Sequence, residues 1–262
     1  MSHRRVRGLP PGFVVVHVGD AEAVARSTLA TPVREALRAG SLYGYAEHHP
    51  EAVVMRGRGM VYAVPLPDGG PRVVVRRSRH GGALARLMGE RFLGDTRAPR
   101  ELATSLHLQL LGIPTPRLVA YATYPDGPIF RRADVVTIEV TDANDLDAAL
   151  VDAWTEEERQ HLLDATIRLF ELMHQGGVRH PDINLKNVLI ARDENDDLEA
   201  LLLDVDRVWF DAPESPRAVE ANFRRFARSA KKRARLHGTP IHQGDLSRIA
   251  EALGVAHDGA ER

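Results

Sequence analysis

The chain has 262 residues, of which 44% are hydrophobic and 27% are charged, and its formal net charge is −1. This length allows one large domain or two smaller lobes, each with a packed core. A net charge this small gives no overall field for nucleic acid, and the absence of cysteine excludes disulfides and cysteine-ligated metals. No apolar stretch approaches the length that a membrane span requires.

The first part of the chain has the pattern of a sheet. A basic tail and a short strand come first, and the apolar segment is too short for a signal peptide. Two β-branched runs within residues 53–77 flank the turn PDGG and predict a hairpin. Two more strand-like runs flank PDG within residues 117–140. Leucines at helical spacing predict a helix near residues 97–111. We therefore expect about five strands and one helix over residues 50–140.

The second part of the chain is mostly helical. Its clearest helix begins after Thr155, which with Glu158 forms a capping-box pattern, and ends at Gly176 and Gly177. Two short strands follow, and the remainder has helical spacing.

The change of pattern near residues 140–145 divides the chain into two lobes. We predict an α+β fold with a sheet-rich lobe over 1–140 and a helix-rich lobe over 141–262.

A polar loop lies between the long helix and the two short strands of the second lobe. It carries His180, Asp182 and Asn187, and Asp204 ends the second strand. Antiparallel strands would bring Asn187 close to Asp204, and an amide oxygen with a carboxylate suits Mg²⁺. Asp182 could accept a proton from a substrate hydroxyl. The spacing H-x-D-x-x-x-x-N resembles the catalytic loop of protein-kinase-like phosphotransferases.

A kinase-like catalytic loop requires a nucleotide clamp in the first lobe. Gly57 and Gly59 lie between two predicted strands, as a phosphate-covering loop would. Arg76 ends a strand at the position where this fold usually has a lysine, and Glu101 on the next helix is its expected ion-pair partner. Arg77 is a rival for this role, but alternation along a strand points it to the opposite face.

The segment TIEV, residues 137–140, is expected to join the two lobes. The backbone groups of Glu139 and Val140 are our candidates for holding the adenine of ATP.

Together these segments resemble the bacterial 3-deoxy-D-manno-octulosonic acid (Kdo) kinases, which belong to the lipopolysaccharide core kinases of the protein-kinase-like superfamily. The resemblance covers roughly residues 50–235. The run RRSRHGG and the ending DVDR of LLLDVDRVWF carry it more strongly than the kinase-like loop HPDINLKNVLI. It implies a bilobal protein-kinase-like fold and an enzyme that transfers the γ-phosphate of ATP to a Kdo hydroxyl on a lipid A precursor. It also implies a peripheral enzyme on the cytoplasmic face of the inner membrane.

The resemblance implies a role for each matching residue. Asp182 would orient or deprotonate the sugar hydroxyl, and Asn187 and Asp204 would bind Mg²⁺. Arg76 and Glu101 would hold the phosphates. The loop of Gly57 and Gly59 would let backbone amides approach them.

Two positions depart from the pattern of protein kinases. Asp206 replaces a glycine, and could add metal or loop contacts or pair with Arg207. Asn184 stands where many protein kinases have a lysine.

Three alternatives stay open: a kinase of another core sugar such as heptose, an aminoglycoside kinase, and a nucleotide-binding pseudokinase at the membrane. Arg76 in place of lysine favours the pseudokinase, and the intact set of Asp182, Asn187 and Asp204 argues against it.

The last part of the chain indicates which kind of acceptor the enzyme uses. The segment after Asp204 has no room for a peptide platform, which favours a small-molecule or lipid-linked sugar. Residues 223–238 form an amphipathic helix whose basic residues are expected on one outer face, where they could bind anionic lipid. No aromatic platform accompanies these charges, so we expect no nucleic-acid partner.

Overall fold

The computed structural model describes residues 8–56, 60–78, 89–153, 155–237 and 241–256. The chain divides into two compact units. The first comprises Met1–Ala103 and Arg117–Glu139, and the second comprises Thr104–Pro116 and Val140–Arg262. The helix that crosses from Ala103 to Thr104 therefore contributes to both units.

The first unit is built around one antiparallel sheet. Its strands are β1 (Phe13–Val18), β2 (Ala21–Arg26), β3 (Val53–Arg56), β4 (Met60–Pro65), β5 (Arg72–Arg77), β6 (Phe92–Leu93), β7 (Leu118–Asp126) and β8 (Phe130–Ile138). The strand order is β1-β2-β7-β8-β5-β4-β3, and β6 pairs with β8. Its helices are α1 (Ala30–Leu37), α2 (Leu42–His48) and the first turns of α3 (Ala98–Leu110).

The predicted hairpin is confirmed as β4 and β5, with Tyr62 opposite Val75. Asp68 and Gly69 in its turn both have left-handed φ values, 57° and 70°. Aspartate followed by glycine suits such a turn, because both residues tolerate positive φ.

The amino-terminal hairpin is larger than the sequence indicated. We predicted one strand there, whereas β1 and β2 pair with each other and β2 pairs with β7. Ala23 and Ala25 of β2 are completely buried. Alanine has a low strand propensity, so the sequence AEAVAR gives little sign of the strand that tertiary packing imposes.

A buried carboxylate connects α2 to the sheet. Asp134 of β8 is 3% exposed, and its Oδ2 accepts a 2.9 Å hydrogen bond from the backbone N–H of Tyr43 in α2. Its other partner is the hydroxyl of Tyr124. Burial raises the pKa of Asp134 to about 6, against the opposing effects of these hydrogen bonds and of Arg77 and Arg132.

We predict that Asp134→Asn removes a pH-dependent part of the stability. Between about pH 4 and 6 the folded protein keeps a proton that the unfolded chain has released, so the free energy of unfolding falls as the pH rises. The difference in unfolding free energy between wild type and Asp134→Asn should change by about 3 kcal/mol across this window, measured by urea denaturation. The control variant is Asp20→Asn, at an exposed position, and its difference in unfolding free energy from wild type should change little over the same pH range. An equal pH dependence of stability in both variants would contradict the role of Asp134.

The second unit carries helices around a small sheet. Its elements are β9 (Asn144–Asp145), α4 (Leu146–Asp152), α5 (Glu156–Gln175), β10 (Val178–Arg179), β11 (Val188–Arg192), β12 (Leu198–Leu202), β13 (Trp209–Phe210), α6 (Pro216–His237) and α7 (Gln243–Ala252). The predicted capping box of α5 is confirmed, because Thr155 and Glu158 exchange side-chain to backbone hydrogen bonds. Phe170 of α5 and Phe226 of α6 pack edge to face in the core, with ring centroids 5.2 Å apart.

A run of antiparallel strands followed by helices is the α+β class that the sequence predicted, and the structure confirms it. None of the helices in the described ranges is both long enough and apolar enough to cross a membrane.

Candidate active site

A buried histidine organises the polar loop of the second unit. His180 is 2% exposed and follows β10 directly. Its Nδ1 accepts a hydrogen bond from the N–H of Asp182 at 3.1 Å, and its Nε2–H donates to the carbonyl of Leu203 at 2.9 Å. This pattern requires the neutral ring with the proton on Nε2, and burial correspondingly lowers the pKa of His180. The ring thus ties the loop to the residue before Asp204.

A second buried side chain fixes the start of the loop from α6. Asn222 is 2% exposed, accepts a hydrogen bond from the N–H of His180 at 2.9 Å, and donates to the carbonyl of Val178 at 2.7 Å. The role of Asn222 was not predicted from the sequence, since its two partners lie 42 and 44 residues away along the chain.

The amides of the loop converge on the backbone of Asp182. Its carbonyl accepts from Asn184 Nδ2 at 2.7 Å and from Asn187 Nδ2 at 2.8 Å. The Oδ1 of Asn184 is used locally by the N–H of Lys186. For Asn187, the bond through its nitrogen leaves Oδ1 as the atom that can bind a cation.

The two short strands place Asn187 opposite Leu203, the residue that precedes Asp204. Val188 pairs with Leu202 across β11 and β12, and the N–H of Leu203 donates to the carbonyl of Asn187 at 3.0 Å. Asp204 follows in a left-handed conformation, with φ 58° and ψ 46°, and its side chain is exposed. A non-glycine residue in this conformation is uncommon and is often found at functional positions.

The donor set fits Mg²⁺. Asn187 and Asp204 offer one amide oxygen and one carboxylate, and Mg²⁺ is commonly held by one or two such ligands together with phosphates and water. Among the described residues there is no cluster of three or more histidine and acidic side chains that could hold a metal by themselves. The roles of Asp182, Asn187 and Asp204 stay predictions.

An arginine of α6 contacts the candidate catalytic carboxylate. Arg225 Nη2 forms an ion pair with Asp182 Oδ1. We expected all basic side chains of the segment 223–238 to lie on one outer face. This expectation was wrong for two of them. Arg225 pairs with Asp182, and Arg233 pairs with the buried Asp147 at 2.8 Å. They lie at helical spacing with Asn222, on a polar stripe beside the apolar one.

We predict that Arg225→Met lowers turnover about 10-fold, which corresponds to about 1.4 kcal/mol, because Asp182 loses the cation that positions its carboxylate. Initial rates at saturating substrates measure this effect. The matched control is Arg224→Met, whose guanidinium is exposed and pairs with Glu220 instead. Guanidinium ion added to Arg225→Ala should restore part of the rate. Equal rates in the two methionine variants would show that Arg225 has no such role.

In the first unit, the predicted ion pair between Arg76 Nη2 and Glu101 Oε1 is present. Glu101 is 4% exposed, so its charge is well shielded from water. Arg77 points to the opposite face, as expected, where it pairs with Glu90 at 2.6 Å and stacks on the ring of Tyr43. That Arg76 and Glu101 hold phosphates stays a prediction.

The remaining predicted nucleotide contacts are only partly described. Gly57 and Gly59 lie outside the described residues. The N–H of Glu139 donates to the carbonyl of Arg72 at 3.1 Å, and its carboxylate pairs with the same arginine. The N–H of Glu139 is therefore already used within the sheet, which leaves its carbonyl for a ligand. Val140 is half-buried and begins the main segment of the second unit.

The chain is similar to several known proteins. A 3-deoxy-D-manno-octulosonic acid kinase of Vibrio cholerae serotype O1 is 28% identical over 67% of this chain and 72% of that protein. One from Xanthomonas oryzae pv. oryzae is 29% identical over 76% of this chain and 77% of its own length. A solved structure described as WaaP in complex with acyl carrier protein is 18% identical, covers 78% of this chain and 88% of that chain, and gives a TM-score of 0.46.

The sequence model of the lipopolysaccharide kinase (Kdo/WaaP) family matches residues 56–251, which is most of the chain. This match includes the whole polar loop, Asp204 and α6. The resemblance seen in the sequence is therefore confirmed: the chain belongs to the lipopolysaccharide kinase (Kdo/WaaP) family, and it is a phosphotransferase that acts on a sugar hydroxyl in lipopolysaccharide core biosynthesis.

Proposed function

We propose that this sugar kinase uses ATP and Mg²⁺ to phosphorylate Kdo on a lipid A precursor. The observation that carries the proposal is the polar loop, where direct hydrogen bonds hold Asp182 and Asn187 together and place Asn187 beside the residue preceding Asp204. The names of the curated relatives identify 3-deoxy-D-manno-octulosonic acid as their own acceptor.

In this proposal the Asp182 carboxylate accepts a hydrogen bond from the sugar hydroxyl and receives its proton as the oxygen attacks the γ-phosphorus of ATP. The bond from the γ-phosphorus to the oxygen that bridges to the β-phosphate breaks, and ADP leaves. Arg225 holds that carboxylate in place from α6, and the His180 ring fixes the backbone on which it stands. Asn187 and Asp204 would hold Mg²⁺, which neutralises charge on the phosphates when bound.

The acceptor is tested by competition among the three sugar classes. Purified protein is given ATP, Mg²⁺ and equal amounts of Kdo-lipid A precursor, a heptose-bearing core acceptor and an aminoglycoside, and products are identified by mass spectrometry. We expect the phosphoryl group on Kdo. Phosphate gain on heptose or aminoglycoside alone would replace the proposed acceptor. Nucleotide binding without phosphate gain on any of them would favour a pseudokinase.

We also propose that the protein binds the cytoplasmic face of the inner membrane through α6. Six exposed basic residues lie along this helix: Arg217, Arg224, Arg228, Lys231, Lys232 and Arg235. Each basic residue near an anionic surface contributes about 1 kcal/mol to the binding free energy, so some of these six residues are enough to support peripheral binding.

Vesicle sedimentation tests the membrane proposal. We expect binding to anionic vesicles but not to neutral ones, and a clear loss in the double variant Lys231→Glu with Lys232→Glu. Arg34→Glu, at an exposed position of α1, is the control. Binding that ignores vesicle charge, or an equal loss in the control, would contradict the proposal.

A further inference from the structure

A two-stranded ribbon connects the two loops that carry the candidate site. β10 precedes His180, and β13 follows the short helical turn after Asp204. Arg179 lies directly opposite Trp209 in the antiparallel pair. Their preceding neighbours in the chain, Val178 and Val208, are almost completely buried. Alternation along extended backbone therefore places Arg179 and Trp209 on the outer face of this ribbon.

The ribbon is held close to the end of α5 by a glycine. Gly177 has a positive φ of 62°, and a Cβ at this position would stand 2.5 Å from the carbonyl oxygens of Asp211 and Ala212. The N–H of Asp211 also donates to the carbonyl of Gly177 at 2.8 Å. The ribbon is thus anchored by packing at one end and by the site loops at the other.

The outer face of the ribbon presents an aromatic surface and a cation, and a second cation adjoins it in the chain. The guanidinium of Arg179 lies over the Trp209 indole, 5.1 Å from its ring centroid, and Trp209 is 38% exposed. Arg207 is also exposed and ends the short 3-10 helical turn Val205–Arg207, two residues before Trp209. Within the described ranges of the chain, neither Arg179 nor Arg207 forms an ion pair.

These groups are close to the candidate catalytic residues along the chain. Arg179 precedes Asp182 by three residues, and Arg207 follows Asp204 by three. Because consecutive Cα atoms are about 3.8 Å apart, each arginine Cα lies within about 11 Å of the corresponding aspartate Cα. A separation of this size is one that a sugar and a long arginine side chain together can span.

We propose that this outer face and the adjoining Arg207 form the acceptor subsite, with Arg179 and Arg207 binding the carboxylate of the sugar acid and Trp209 packing against its ring. The inference rests on the proposed function, because Kdo is an acidic sugar. A guanidinium offers two parallel donors that match a carboxylate, and a tryptophan gives a rigid apolar surface beside them. The enzyme would thereby select acidic sugars over neutral ones.

Binding is measured first through the fluorescence of Trp209. The chain has two tryptophans, so Trp154→Phe leaves Trp209 as the single reporter. Titration with free Kdo should change its emission in a saturable way, whereas the methyl ester of the same sugar, which lacks the charge, should not. An equal response to both sugars, or a response to anionic vesicles alone, would overturn the subsite and point to another ligand.

Kinetics provide the second measurement. Arg179→Ala and Arg207→Ala should each raise the KM for Kdo-lipid A precursor about 10- to 100-fold, the size expected for loss of a charge-assisted hydrogen bond, with the KM for ATP unchanged. Arg179→Lys should keep part of the affinity. Arg34→Ala, another exposed arginine that lies in α1, is the control.

The two hypotheses fail in different ways. If wild-type protein does not phosphorylate the Kdo acceptor, the proposed function fails. If wild type is active and both alanine variants keep its KM for the acceptor, only the subsite fails.

Discussion

Asp182→Ala will lower turnover by about 10²-fold or more while nucleotide binding survives, because the variant loses the carboxylate that orients the sugar hydroxyl and takes its proton. The carbonyl of residue 182, which organises Asn184 and Asn187, is retained in the variant. Single-turnover rates and nucleotide affinity measured by calorimetry separate the chemical step from binding.

The loss of the Arg225 ion pair is the main complication of this variant. Asp182→Asn is therefore measured in parallel, since it keeps the shape of the side chain. Melting temperatures show whether either protein is destabilised. A rate near wild type in both variants would mean that Asp182 is not the catalytic carboxylate.

Asp204→Asn should abolish the dependence of nucleotide affinity on Mg²⁺ and lower turnover by about 10²-fold. The reason is that Asp204 is the charged member of the predicted pair of Mg²⁺ ligands, whereas Asn187 is neutral. Asparagine is the appropriate substitution because it tolerates the left-handed backbone that Asp204 adopts, whereas alanine would add strain. Calorimetric titration of ATP with and without Mg²⁺ measures the effect independently of activity.

The chain contains a matched control for this variant. Asp196 is also left-handed, with φ 67°, and lies exposed in the loop between β11 and β12. Asp196→Asn should leave both the Mg²⁺ dependence and the turnover unchanged. If Asp204→Asn behaves like this control, Asp204 does not bind the metal.

Local patterns explain which parts of the structure the sequence could predict. Thr155 and Glu158 form their capping box within one helical turn. The strands β11 and β12, after Asn187, are joined by a short loop. Both features therefore depend on contacts between residues that are close in sequence. The same holds for the spacing from His180 to Asn187, which sets a loop whose hydrogen bonds are mostly internal.

Contacts between distant residues explain what the sequence could not predict. Arg225 lies 43 residues from Asp182, and the basic composition of its helix indicated only a charged surface. A polar stripe at helical spacing through Asn222 and Arg225 was the available signal, but it does not identify a partner. Likewise, Arg179 and Trp209 meet only because β10 and β13 pair across 30 residues.

The most direct test of the account follows the phosphoryl group itself. ATP labelled in its γ-phosphoryl group is incubated with Mg²⁺, Kdo-lipid A precursor and either wild type, Asp182→Ala or Asp204→Asn, and the label is located by mass spectrometry of the product fragments. The account predicts label on a Kdo hydroxyl with wild type and almost none with either variant. Label that stays in ATP or is released only as inorganic phosphate by the wild type would contradict it, as would transfer by both variants at the wild-type rate.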